Sequence, residues 1–125
     1  MGERIEVISE AGLVDADPTP GMQRRLAFRT PQLWTGLVHT QAGAVSGWHH
    51  HGDHETVLYQ VAGRVRLEFG PGGQDAVEAG SGDFIRVPAN TVHRESNPWP
   101  ETSTAVIARV GTGPVTVNVD GPDPE

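Results

Sequence analysis

Apolar positions along this chain alternate with polar ones over short stretches and are interrupted by glycine or proline at frequent intervals, and no long segment has a helical period. This pattern predicts strands. Leu33 to Thr40 is the first clear strand and runs through Gly43 into a histidine-rich segment. Thr56 to Val61 is β-branched, aromatic and aliphatic and stops at Gly63. Arg64 to Phe69 alternates, turns at Gly70-Pro71-Gly72-Gly73 and continues into the short Ala76 to Ala79. Phe84 to Pro88, Thr91 to Glu95, Thr104 to Val110 and Val115 to Val119 complete the series. Residues 1–32 read as an N-terminal arm, with an edge strand at Arg4 to Ile8 and a loop from Asp15 to Gly21. Residues 33–119 form the expected barrel and 120–125 a disordered tail.

Paired short strands joined by glycine turns suit an all-β double sheet of the jelly-roll kind, whose inward side chains converge on a small cavity. At 125 residues the chain is one domain, and with 36% hydrophobic and 6% aromatic residues its core is thin enough that an interface is expected to complete it. A homodimer is therefore expected, with the Arg4 to Ile8 strand as a candidate contact. A formal net charge of −7 argues against nucleic acid and anionic membranes as partners. No apolar run approaches the roughly 20 residues of a membrane span. The charged start Met-Gly-Glu-Arg is unlike a signal peptide, so a cytoplasmic location is expected.

The chemistry is concentrated in Trp48-His49-His50-His51-Gly52-Asp53-His54-Glu55, four histidines and two carboxylates in a chain whose other histidines are His39 and His93. Imidazole and carboxylate are ligands for divalent first-row metals, and with no cysteine present any metal is held by nitrogen and oxygen. The run is mid-chain between strand-like segments, unlike an expression tag. On extended chain His49 and His51 share one face and His50 points to the other. His39 and His50 read as packing or surface residues, while His54 stays open between an alternative ligand, a partner of a ligand and a turn residue. Arg64, Arg66, Arg86 and Arg94 alternate with apolar neighbours as on a solvated face, a cavity arginine being the other reading.

These residues resemble the two motifs of the cupin superfamily. Gly43, His49, His51, Glu55 and Gly63 follow the first, and Gly82, Pro88, His93 and Asn97 the second, with Asn90 where that motif has glycine. The resemblance spans residues 33 to 119 and implies a double-stranded β-helix barrel with one metal inside. It implies His49, His51, Glu55 and His93 as the ligands. Counting back six residues from Gly63 lands on Thr56, so Glu55 reaches the metal only if the chain bulges between His51 and Val57. Without the bulge, three histidines remain, with Glu55 or His54 outside the metal's first ring of ligands. The expected cofactor is one divalent transition metal: Fe, Mn, Ni, Cu or Zn. The expected partner is a small chelating substrate in a metal-dependent enzyme, of oxygenase type or an isomerase or decarboxylase. Glu55, if off the metal, could serve as general base. A non-catalytic metal or small-molecule binder is the alternative, and a metal-free epimerase relative is a third reading.

Overall fold

A computed structural model describes residues 3–123. Eleven strands are found among them: β1 (Val14–Thr19), β2 (Met22–Thr30), β3 (Leu33–Thr40), β4 (His49–His50), β5 (Glu55–Ala62), β6 (Val65–Phe69), β7 (Asp75–Ala79), β8 (Phe84–Val87), β9 (His93–Ser96), β10 (Ser103–Val110) and β11 (Val117–Asn118). They form two antiparallel sheets, a six-stranded one in the order β1-β2-β3-β10-β5-β8 and a five-stranded one in the order β11-β4-β9-β6-β7. The barrel expected from the strand spacing is present.

Alternation along β3, β5 and β10 buries every second residue, as a sheet with one face on a core requires. Trp34, Val38, Leu58, Ala105, Ile107, Ile85 and Val87 meet Val65, Leu67 and Ala79 of the other sheet in one cluster. Asn97, which is fully buried, ties the turn before β10 together: its Nδ2 donates to Thr40 O at 3.0 Å and Glu101 O at 2.7 Å. Two turns test the motif reading. Gly63 has φ 71° and packs so close to Thr102 that an added Cβ would lie 2.5 Å from its carbonyl oxygen. Asn90, standing in for glycine, also takes a positive φ of 58°, a conformation asparagine tolerates better than other side chains.

The N-terminal region differs from the sequence expectation. Arg4 to Ile8 is not a strand; residues 14–30 instead form the hairpin β1–β2, which pairs through β2 onto β3 and widens the larger sheet. Two prolines and two aspartates within residues 15–20 masked this pairing, because β1 is a solvent-facing edge strand with little alternation to reveal it. At the other end, the expected tail reaches back to the body as far as it is described, with Gly72 N donating to Asp123 O at 2.9 Å.

Candidate metal centre

His49 on β4 and His93 on β9 are direct cross-strand partners, so both rings project from one face of the smaller sheet into the barrel with centroids 4.4 Å apart. His51, just beyond β4 and of the same parity, adds a third ring with centroids 5.1 Å from each. Two residues after His93 along β9, Glu95 turns to the same side. The ligand atoms of these four buried residues lie within 4.8 Å of one another, a grouping able to hold a metal ion.

The backbone decides which ring atoms face inward. His49 Nδ1 lies 2.8 Å from Gly47 O, His51 Nδ1 2.7 Å from Val115 O and His93 Nδ1 2.9 Å from Thr91 O. A carbonyl can only accept, so each Nδ1 carries the proton and each neutral ring keeps its lone pair on Nε2. His49 Nε2 and His93 Nε2 are buried without an aligned hydrogen bond, and His93 Nε2 stands 3.3 Å from Glu95 Oε1. Acceptor lone pairs gathered among buried side chains fit a cation. The donor set, three imidazole nitrogens and a carboxylate, fits a divalent transition metal.

Burial dominates the electrostatics. It lowers His51 to about 3, helped by the positive charge of Arg109, and lowers His49, helped by His93. For His93 burial again acts downward and is the largest single influence, yet the neighbouring Glu95 carboxylate outweighs it and the pKa rises. Glu95 is held well below the carboxylate range: burial pushes upward, and His93, His49 and Arg24 overcome it.

Glu55, expected as the fourth ligand, is not part of this cluster. It begins β5 on the solvent face, where its Oε1 accepts from Arg86 Nε at 2.6 Å. No bulge turns it inward: β5 alternates regularly from Glu55 to Gln60, so Thr56 takes the buried position and Glu55 the exposed one. Its assignment as general base at the metal falls for the same reason. His54 is buried, but its Nδ1 donates to His51 O, 3.0 Å away, and it lines a different cleft with Trp34 and Val115. His50 receives a hydrogen bond from Gly52 N, and His39 sits against Thr104 at 3.1 Å. Arg66, Arg86 and Arg94 pair with Glu78, Glu55 and Glu68, away from the histidine cluster.

Sequence reasoning missed Glu95 and the two buried arginines, Arg24 and Arg109. Parity was the available signal: Glu95 is two residues from His93, and Arg109 continues the inward series Ala105, Ile107. Beside His93, a cavity of about 220 Å³ is lined by Leu67, Phe69, Val77, Ile85, Val87 and Pro88, with Arg86 and Thr91 also at its wall.

The model of the family described as "Cupin domain" matches residues 36–108, more than half of the chain. The chain belongs to the cupin family. No curated protein matches it significantly. Among solved structures, it resembles an uncharacterized conserved protein with a double-stranded β-helix domain from Klebsiella pneumoniae (TM-score 0.70, 17% identity, 82% of this chain and 89% of that one). KdgF from Halomonas sp. aligns with TM-score 0.63 and 27% identity over 77% of this cupin and 84% of that chain. Oxalate decarboxylase of Bacillus subtilis, a protein with Mn(II) centres, aligns with TM-score 0.70 and 19% identity over 82% of this cupin but 29% of its own chain.

Proposed function

We propose that this cupin is a metal-dependent enzyme that acts on a small chelating organic substrate, with the metal held by His49, His51, His93 and Glu95. The observation that carries the reading is the set of three Nδ1–carbonyl hydrogen bonds, which fixes the tautomers and turns the Nε2 atoms inward. A divalent metal bound there supplies Lewis acidity and open coordination positions for a chelating substrate. The chain contributes the rest. Val87, Ile85, Leu67 and Phe69 exclude water beside His93 and offer apolar contact to a substrate body. Glu95 contributes negative charge where a cation is to be held.

Oxygenase chemistry and metal-assisted isomerisation or decarboxylation are the reaction classes such a site serves, and the Mn(II) centres of the oxalate decarboxylase support the choice of metals to try. The test is metal analysis of protein purified without a nickel column, followed by oxygen-uptake and carbon dioxide-release assays. Fe(II)- and Mn(II)-loaded protein is assayed with diketones, catechols, thiols and keto acids. Turnover of one class by loaded but not by stripped protein is expected. Stoichiometric metal with tight binding of these compounds and no turnover would make the protein a non-catalytic binder.

A further inference from the structure

Among the described residues, β7 is the last strand of the smaller sheet and β8 the last of the larger one, and the cavity beside His93 lies between these two edges. Val77 on β7 is in register with Leu67 of β6, so both side chains share the face that meets the core. Leu67 is buried, and so is Ala79 two residues further along β7, yet Val77 is 47% exposed. An inward-facing valine left half open marks the place where the larger sheet stops covering the smaller. Pro88, just past the end of β8, is exposed on the opposite rim, while Leu67, Ile85 and Val87 form the buried wall. His93 closes the cavity on the metal side, so the opening leads from solvent to the histidine cluster.

The polar side chains at the wall are already engaged. Arg86 has the outward parity of its strand and pairs with Glu55, and Thr91 donates its hydroxyl to Ala89 O at 3.4 Å. His93 gives Nδ1 to Thr91 O and has Nε2 beside Glu95. A charged group entering here loses its water and meets no counter-ion, whereas an apolar one gains from burial. Size is restricted as well. An apolar cavity of about 150 Å³ is enough to hold benzene, so about 220 Å³ takes one ring with a short extension, or a branched chain of similar bulk.

We propose that the apolar group of the substrate enters between β7 and β8 and fills this cavity while its chelating atoms reach the metal. The site then selects chelating compounds that carry one uncharged aromatic ring or a branched alkyl group of that size. This rests on the metal-enzyme reading given above and adds the class of substrate. Val77 is the specificity-determining residue at the mouth; it touches the apolar group and not the reacting atoms.

The test uses Zn(II)-loaded protein and three hydroxamates with the same chelating group: acetohydroxamate, phenylacetohydroxamate and the latter with a carboxylate on its ring. Calorimetry should give the phenyl compound an affinity roughly tenfold or more above that of acetohydroxamate, and the ring carboxylate should cancel the gain. Val77→Trp, which fills the mouth, should hold Zn(II) and acetohydroxamate like the parent and bring the preference within about twofold. Val110→Trp, on the exposed face of β10, should keep it. Methyl NMR of the parent locates the ring directly: Leu67, Val77 and Val87 should shift with the phenyl compound and not with acetohydroxamate. Equal affinities in the parent, no effect of the ring carboxylate, a preference kept by Val77→Trp, or unmoved methyls would overturn the proposal, and the parent's NMR decides it if Val77→Trp does not fold. A parent that binds no zinc would instead defeat the metal-enzyme reading. Fluorine NMR of 4-fluorotoluene with metal-free protein then decides the cavity on its own: binding that Val77→Trp abolishes upholds it, and no binding ends it.

Discussion

Glu95 Oε1 stands 3.3 Å from His93 Nε2, two residues along the same face of β9, whereas Glu55, four residues after His51, points to solvent and binds Arg86. The carboxylate beside the histidines therefore comes from the strand that carries His93. Substituting Glu95→Gln should weaken Mn(II) or Zn(II) affinity by upwards of roughly tenfold, while Glu55→Gln leaves it unchanged. Competition with a fluorescent chelator reads both constants. Loss of metal in Glu55→Gln with retention in Glu95→Gln would reverse the assignment.

Acid should destabilise the metal-free protein in a defined window. His51 is lowered from 6.5 to about 3, so between those values the unfolded chain binds more protons than the folded one and stability falls as pH falls. Glu95, also lowered, acts in the same sense below the ordinary carboxylate value, its contribution being lost as pH drops. His93, raised, acts oppositely: its contribution is complete below 6.5 and is lost as pH rises through its folded value. The unfolding free energy of the stripped protein, read from urea denaturation, should decline from pH 6 to pH 4 by an amount on the order of a few kcal/mol. A flat profile across that range would contradict the burial of neutral His51.

Gly63→Ala should be among the most harmful single-methyl changes in the chain. The position requires φ 71° and leaves 2.5 Å to Thr102 O, so the variant combines left-handed strain with a backbone clash. A loss of more than about 2 kcal/mol is expected in chemical denaturation. Gly43→Ala, with a similar φ but open space around its Cβ, should cost less, and equal losses would show that the clash is relieved.

The homodimer expected from the composition is a proposal that the outer face of the larger sheet makes specific. Leu37, Val106, Tyr59 and Phe84 lie opposite one another across four strands, with Phe84 75% exposed and its ring 4.8 Å from that of Tyr59. Light scattering should give a dimer for the parent and a monomer for Phe84→Glu. A monomeric parent at micromolar concentration would end the proposal.

The parts legible in the sequence were those governed by a period of two. Leu33 to Thr40, Thr56 to Val61 and Thr104 to Val110 each emerged within a residue or so of β3, β5 and β10, because a half-buried strand writes its alternation into its composition. The same logic put His49 and His51 on one face, while His93 came from the resemblance to the second cupin motif; the structure brings the three rings together. Glu55 failed because motif spacing was set above parity: Thr56 is followed by alternating buried positions at Leu58 and Gln60, which already placed Glu55 outside. The β1–β2 hairpin failed for a different reason. Its residues carry prolines and charges at a sheet edge, where solvent relaxes the pattern that a core imposes.

The carbonyl that orients His51 belongs to Val115, 64 residues away, while those of His49 and His93 come from two residues upstream in their own loops. Two of the three rings are thus aligned by their immediate neighbours as soon as the local loop closes. The third waits for the last strand to dock, since β11 must pair with β4 before Val115 can reach it. The complete centre therefore depends on the docked C-terminal segment, and a protease cut between Gly111 and Val115 should release the His51 ring from its orienting carbonyl while those of His49 and His93 stay in place.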